Sequence, residues 1–276
     1  MKVLNYGSLN VDYVYSVDHI IVGGETQHSS KLEVFSGGKG LNQSIALAKA
    51  GVPVYHAGIV GTDGDILLEA CKEAGVNTKY IRRLPVKGGH TMIQVDKNAQ
   101  NCIILYGGTN QMQTKEFVDE VLADFGEGDY LILQNEINML DYIIDQAYEK
   151  KMKIVMNPSP FDDKLSTCDL SKVYLFLVNE IEGEQITGCK DKDQILDAMA
   201  AKFPNARFVL TLGSDGAVYY DGKEKVFQDI FKVKAVDTTA AGDTFTGYFI
   251  AAVIEGRSIQ EALRMAAKAS SIAVSR

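Results

Sequence analysis

The chain has 276 residues, 46% of them hydrophobic, and a formal net charge of −8. This length and composition predict a full hydrophobic core, built as one large α/β domain or two small ones. No run of Lys and Arg offsets the negative charge, which argues against general binding to nucleic acid or anionic membranes.

The four cysteines are widely separated and include no CxxC pair. Such scattering indicates reduced thiols rather than a zinc site or a disulfide framework. The N-terminus lacks the long apolar region of a signal peptide, and no stretch approaches the roughly 20 apolar residues that cross a membrane. We therefore expect a cytoplasmic protein without a membrane partner.

The first part of the chain predicts two hairpins. A short buried strand over residues 3–6 precedes two strand signals on either side of a Gly-Gly turn, within residues 11–35. Residues 91–95 and 102–106 flank a second turn and predict another hairpin. We expect the two hairpins, at about 11–35 and 90–107, to form a small β-sheet lid.

The rest of the chain alternates between apolar strand signals and helical periodicity. The strands are predicted at 54–60, 130–133, 154–156, 174–178, 208–212 and 231–236, with a further hairpin around 221–222. The helices are predicted to begin near residues 41, 63, 115, 140, 180, 192, 245 and 258. This rhythm predicts a three-layer α/β/α fold with a mostly parallel sheet, whose ligands bind beyond the carboxyl ends of the strands. Because no repeat or linker is visible, we expect one domain, 1–276, with a lid.

Residues 237–247 read Asp-Thr-Thr-Ala-Ala-Gly-Asp-Thr-Phe-Thr-Gly and lead into an apolar helix. The first N–H groups of a helix lack intrahelical partners and lie at the positive end of its dipole, so Ala241 and Gly242 are suited to hold an anion. Asp243 adds a carboxylate that can accept a proton at the same place. The combination predicts phosphoryl transfer to an alcohol, with ordinary helix capping as the alternative.

Residues 36–43 read Ser-Gly-Gly-Lys-Gly-Leu-Asn-Gln and also precede a predicted helix. The segment is not a Walker A loop, because glycine follows the lysine, and the chain contains no GxGxxG sequence. Gly37 and Gly38 allow a small ligand to touch the backbone, and Asn42 offers a donor and an acceptor to hydroxyl groups. A tight turn before a helix is the alternative explanation.

Together, in this order and at this separation, the two segments resemble the two signatures of the ribokinase-like (PfkB) carbohydrate kinases. Other segments similar to that family follow in order along essentially the whole chain: Asn10-Val11-Asp12, Glu136, Asn157-Pro158-Ser159-Pro160, Asn179-Glu180-Ile181-Glu182 and Thr211-Leu212-Gly213-Ser214-Asp215-Gly216. The resemblance implies a ribokinase-like fold. It also implies ATP- and Mg²⁺-dependent phosphorylation of a primary hydroxyl of a small sugar.

Individual roles are likewise implied by the resemblance. Asp243 would be the base, and the anion hole would be formed by Ala240, Ala241 and Gly242. The groups that would bind the sugar are Asn10, Asp12, Gly37, Gly38, Lys39, Asn42, Glu136 and Asp243. Those on the nucleotide side would be Asn179, Thr211, Gly213, Gly216, Gly242 and Lys268. Asn179 and Glu182 would act on Mg²⁺ through water, and Asp237 and Thr239 would bind a monovalent cation such as K⁺.

The form Lys-Gly-x-Asn-Gln favours ribose as the sugar. The alternatives are a fructokinase or nucleoside kinase of the same fold, or a non-catalytic sugar-binding protein. Ala240 stands where the family most often has glycine, and the chain ends before the family's last loop, so we expect a less complete adenine side and cation site. Apolar side chains on both faces of the hairpins predict a homodimer formed through the lid.

Overall fold

The computed structural model describes residues 1–98, 100–236 and 238–275. Its strands are β1 (Val3–Tyr6), β2 (Asn10–Ser16), β3 (Lys31–Gly37), β4 (Val54–Val60), β5 (Asn77–Arg83), β6 (Gly89–Val95), β7 (Asn101–Tyr106), β8 (Tyr130–Gln134), β9 (Lys153–Asn157), β10 (Leu175–Asn179), β11 (Arg207–Thr211), β12 (Ala217–Tyr220) and β13 (Lys225–Gln228). Its α-helices are α1 (Lys39–Lys49), α2 (Asp65–Ala74), α3 (Lys115–Leu122), α4 (Leu140–Glu149), α5 (Glu180–Thr187), α6 (Lys192–Lys202), α7 (Ala241–Ile254) and α8 (Ile259–Val274).

A nine-stranded sheet lies at the centre, in the order β13-β12-β11-β10-β9-β8-β1-β4-β5. Neighbouring strands from β11 to β5 run parallel, and β12 and β13 extend the sheet antiparallel at one edge. The prediction of a mostly parallel sheet is confirmed. Its carboxyl edge brings together the ends of strands that are far apart in sequence.

Helices cover both faces of this sheet. Successive side chains of a strand point to opposite faces, so Leu4 of β1 packs in an apolar cluster with α3 to α6, whereas Val3 packs in the cluster that contains residues of α1, α2, α7 and α8. The two clusters lie on the two sides of the sheet, which confirms the three-layer arrangement.

The two predicted hairpins join in a single four-stranded sheet, in the order β3-β2-β6-β7. Within it, β2 pairs in parallel with β6, with Asn10 opposite Gly89 and Ser16 opposite Val95. We call this the small sheet. Many of its apolar side chains are exposed, among them Leu32, Phe35, Met92, Ile103, Ile104 and Leu105.

Two strand assignments differ from the sequence prediction. The edge strand β5 was not predicted, because in Asn-Thr-Lys-Tyr-Ile-Arg-Arg only Tyr80 is buried and no apolar face stands out. The predicted strand over 231–236 is wrong: these residues form no strand, and Val233 and Val236 are exposed. Alternation alone cannot supply the neighbouring strand that a ladder requires. Of the helices that the structure describes, none is both long and apolar enough to span a lipid bilayer.

Candidate active site

Asp243 lies in the first turn of α7 and is 6% exposed. Its Oδ1 accepts a hydrogen bond from Gln43 Nε2 (2.9 Å), and its Oδ2 accepts one from Asn42 Nδ2 (3.2 Å). The N-terminus of α7 therefore meets that of α1 at this carboxylate. The two segments singled out in the sequence are in direct contact.

The turn that leads into α7 presents its backbone to open space. A side chain at Gly242 would meet no heavy atom within 4 Å, so neither packing nor a left-handed backbone requires glycine here. An open approach to N–H groups at a helix N-terminus suits an anion. Ala240, the N-cap residue, has a left-handed φ of 56°, which explains why glycine is suited to this position.

On the small sheet, Asp12 faces the glycine-rich segment. Its Oδ1 accepts a hydrogen bond from Thr91 Oγ1 (2.6 Å), and its Oδ2 sits against Gly37, where a Cβ atom would overlap it. Burial raises the pKa of Asp12, although the bond from Thr91 opposes the rise. Thr91 was not singled out in the sequence, because it is recognisable only once β2 and β6 are paired.

A third carboxylate, that of Glu136, reaches the same segment. Its Oε2 accepts hydrogen bonds from Ser8 Oγ and from the backbone N–H of Lys39, the latter at 3.0 Å. Burial is the main reason that the pKa of Glu136 is raised, and the nearby charge of Asp243 adds to the rise. Asp12, Glu136 and Asp243 thus surround residues 37–43, a setting rich in acceptors for hydroxyl groups.

Two other predicted sugar ligands lie at the base of the small sheet. Asn10 is buried, and its Oδ1 accepts a hydrogen bond from Asn110 Nδ2 (2.7 Å). Gly38 adopts φ 94° as the N-cap of α1, where a Cβ atom would lie 3.1 Å from Ser8 O. Asn10 lies two residues before Asp12 on β2 and is paired with Gly37, the residue before Gly38. The side-chain oxygen of Asn10 is bonded to Asn110 and not to the ligand side of the three carboxylates.

The predicted nucleotide residues gather on neighbouring strands, β10 and β11. Asn179 and Thr211 are paired at the ends of these strands. Asn179 caps α5 in a capping box with Glu182: Asn179 Oδ1 accepts from Glu182 N (2.9 Å), and Glu182 Oε2 accepts from Asn179 N (3.0 Å). Gly213 and Gly216 follow in the β11–β12 turn, both with positive φ.

A groove of about 640 Å³ opens between α1, α7 and α8. Its lining includes Asn42, Ala240 and Thr244 together with Lys268, so the predicted nucleotide contact on α8 shares a space with the start of α7. Lys268 Nζ lies 5.0 Å from the centre of the Phe231 ring. Thr239 is exposed in the turn before α7, whereas Asp237 lies outside the described residues.

Four amide side chains join the site without having been assigned a role from the sequence, three of them buried (Asn5, Gln43 and Gln134) and one half-buried (Asn157). Gln43 and Asn157 belong to segments that the sequence analysis quoted. A usable signal was present, because Gln134 and Asn157 are polar residues at the ends of apolar strands and Asn5 is a polar residue within one. In the part of the chain that the structure describes, no three His, Cys, Asp or Glu side chains gather to hold a metal ion by themselves.

Comparisons with known proteins agree with this geometry. The family model for the pfkB family carbohydrate kinases matches residues 1–276. A ribokinase from Haemophilus influenzae is 33% identical over 283 residues, which cover 98% of this chain and 91% of that protein. The solved structure of an Arabidopsis thaliana ribokinase complexed with ribose and ATP has a TM-score of 0.86 at 28% identity, covering 99% of this chain and 92% of that one. A Cryptococcus neoformans ribokinase in complex with ADP gives 0.85 at 30% identity, covering 100% and 94%. The chain belongs to the pfkB family of carbohydrate kinases.

Proposed function

We propose that the protein transfers the terminal phosphoryl group of ATP to a primary hydroxyl of a small sugar, with ribose as the first candidate. The observation that carries this proposal is the contact between the two helix N-termini at Asp243, next to the open backbone of Gly242. The similarity to ribokinases, including one solved with ribose and ATP, supports the choice of substrate.

In this proposal, Asp243 takes the proton of the sugar hydroxyl as the phosphoryl group arrives. A positioned base of this kind contributes about 10²- to 10⁴-fold to the rate. The N–H groups at the start of α7, around Gly242, hold the negative charge that develops on the transferred group, where loss of one donor costs about 3 kcal/mol. Asp12 and Glu136 bind the other hydroxyls and thereby orient the sugar.

Asn179 and Glu182 fit an indirect role at Mg²⁺. Each carboxylate oxygen of Glu182 keeps acceptor capacity beside its bond to Asn179, and Mg²⁺ commonly retains several waters and takes its other ligands from phosphates. The ion would neutralise charge on the phosphates of the nucleotide. For a monovalent cation such as K⁺, we propose the Thr239 carbonyl and Asp237 as ligands.

The small sheet supports two further parts of the proposal. We propose that it acts as a lid over the sugar, because it carries Asp12 and Thr91, and that its exposed apolar side chains pair with those of a second subunit. Sedimentation velocity tests the dimer: wild-type protein should sediment as a dimer and the variant Ile104→Lys as a monomer. If the wild-type protein sediments as a monomer, the proposed dimer is wrong.

The substrate is tested by measuring ADP release across a panel of pentoses, hexoses and nucleosides, with and without K⁺. Ribose should give the highest kcat/KM. If kcat/KM is highest for fructose or for a nucleoside, the protein is a kinase of the same fold with that substrate instead of ribose. Sugar binding without ADP from any compound would indicate a non-catalytic binding protein.

The role of Asp243 is tested by Asp243→Asn. This variant should bind ribose nearly as wild type does, by isothermal titration calorimetry, while kcat falls at least about 10²-fold, because the amide cannot accept the proton. The matched control is Asp141→Asn, an exposed residue in the first turn of α4. Turnover retained in Asp243→Asn would refute the assignment of the base.

A further inference from the structure

A row of polar side chains crosses four adjacent parallel strands of the central sheet. The residues are His56 of β4, Asn5 of β1, Gln134 of β8 and Asn157 of β9. Asn5 is paired with His56 and Gln134 with Asn157, whereas Asn5 lies opposite Ile132, two residues before Gln134 on the same face of β8. The residue two positions earlier on each strand belongs to the apolar cluster under α1 and α7: Val54, Val3, Ile132 and Val155. Strand alternation therefore turns the whole row towards α1.

Gln43 of α1 connects this row to Asp243. Gln43 Nε2 donates to Asp243 Oδ1 (2.9 Å) and to Asn157 Oδ1 (3.1 Å), and Gln43 Oε1 accepts from Gln134 Nε2 (2.7 Å). Gln134 Nε2 also donates to Asn5 Oδ1 (2.9 Å). Asn5, Gln43 and Gln134 are fully buried, so water does not compete for these groups.

The direction of every bond is fixed by backbone carbonyls, which can only accept. Asn5 Nδ2 donates to Gly40 O (2.7 Å), which leaves Asn5 Oδ1 facing Gln134. The NH₂ group of Gln134 must then donate to Asn5 and to Gln43, and the side-chain oxygen of Gln43 must accept this hydrogen bond. From the other side, Asn157 Nδ2 donates to Leu177 O (2.9 Å), so Asn157 Oδ1 also requires an N–H from Gln43.

From this arrangement, we infer that Gln43 is the positioning residue for the base, and that Asn5, Gln134 and Asn157 hold its amide so that N–H always faces Asp243. Gln43 occupies Oδ1, which leaves Oδ2 as the oxygen that takes the proton. Oδ2 contacts Asn42, and Asn42 lines the open groove. The inference rests on the proposed function of Asp243.

Neighbouring groups keep the row from rearranging. A Cβ atom at Gly7 would overlap Gln134 Oε1, so the Gln134 amide is packed directly against the backbone. At the far end, Ser44 Oγ accepts from Asn5 Nδ2 (2.8 Å) and lies 2.8 Å from His56 Nδ1. Burial lowers the pKa of His56 to about 4, so its ring is neutral at physiological pH and a single proton lies between Ser44 Oγ and His56 Nδ1.

The test compares Gln43→Met, Gln134→Glu and the double variant with wild type in the ribose assay. Gln43→Met removes the donor to Oδ1, and kcat should fall about 10- to 100-fold while KM for ribose and for ATP stays within about twofold. Gln134→Glu replaces the side-chain NH₂ group with an oxygen and preserves the shape of the side chain. Its carboxylate attracts the NH₂ of Gln43, which turns the oxygen of Gln43 towards Asp243, so kcat should fall by a similar factor.

Non-additivity separates positioning from a merely structural effect. If Gln134 acts only through Gln43, the double variant should lose no more kcat than Gln43→Met alone. Gln113→Met is the control, because Gln113 is also a buried glutamine but bonds to Tyr6 rather than to this row. It should lower the unfolding temperature without changing kcat.

The outcomes are distinguishable. Wild-type kcat in Gln43→Met or in Gln134→Glu, or fully multiplicative losses in the double variant, would overturn the inference. If the wild type itself releases no ADP with any sugar, the proposed function fails instead.

Discussion

The carboxylate of Asp12 occupies the space in which residue 37 would carry a side chain. Gly37 has no left-handed φ, so the glycine is required by this close approach and not by backbone strain. In Gly37→Ala, the new methyl group should displace Asp12 from the sugar. The hydroxyl groups of the sugar would then lose the Asp12 carboxylate as a hydrogen-bond acceptor. KM for ribose should therefore rise about 10- to 100-fold, with KM for ATP unchanged.

Gly23→Ala is a matched control for that substitution. Gly23 lies in the connection between β2 and β3, and a Cβ atom there would meet nothing within 4 Å. Its kinetics should equal those of wild type. Equal KM values for ribose in Gly37→Ala and wild type would show that Asp12 does not contact the sugar.

Gly242→Ala should separate stability from activity. Alanine favours the helix over glycine by about 0.5–1 kcal/mol, and space is available for its side chain, so the unfolding temperature should not fall. The methyl group would, however, stand where the phosphoryl group approaches the helix N-terminus. We expect kcat to fall about 100-fold.

Gly126→Ala, at another glycine with open surroundings, provides the comparison in thermal unfolding and in the kinase assay. It should leave kcat unchanged. If Gly242→Ala also turned over at the wild-type rate, the anion would have to bind elsewhere.

Protein stability should depend on pH through His56. Burial lowers the pKa of His56 to about 4 from 6.5, so below pH 6.5 the unfolded chain binds a proton that the folded chain does not. The contribution of the neutral ring is fully present above pH 6.5. It should decline by about 1.4 kcal/mol per pH unit as the pH falls towards 4.

Urea denaturation of wild type and His56→Gln at pH 7.5, 5.5 and 4.5 measures this contribution of His56 to the free energy of unfolding. The difference in free energy of unfolding between the two proteins should shrink or reverse as the pH falls, because the variant lacks the titrating ring. A difference that stays constant with pH would mean that His56 is not held neutral in the folded state.

Much of the fold follows from local pattern. Strands such as Tyr130–Gln134 are buried along their whole length, so their apolar runs identify them. The edge strand Asn77–Arg83 is mostly solvent-accessible, and its polar sequence looks like a loop. The opposite error occurred at 231–236, where alternating residues have no strand beside them. An edge strand forms only where a neighbouring strand is available to pair with it, and a local sequence pattern does not show that neighbour.

The candidate site likewise contains residues that a local sequence pattern identifies and residues that it does not. Asp243 and Asn42 lie on helix N-termini, whose chemistry can be read from adjacent residues, and the structure brings the two side chains into contact. Gln134 and Asn5 are 129 positions apart in the chain and meet only because β1 and β8 are neighbours. Their role depends on strand order, which a single sequence does not reveal.

The parallel pairing of β2 with β6 has a consequence for how a substrate enters. The pairing extends from Asn10–Gly89 to Ser16–Val95 and ties together two hairpins that are about 50 residues apart in the chain. Asp12 and Thr91 lie on the two paired strands and are hydrogen-bonded to each other, so if the small sheet moves as the proposed lid, the two side chains would move together. Admission of the sugar and its recognition would then be a single cooperative event, with no stage at which one hairpin is closed and the other open.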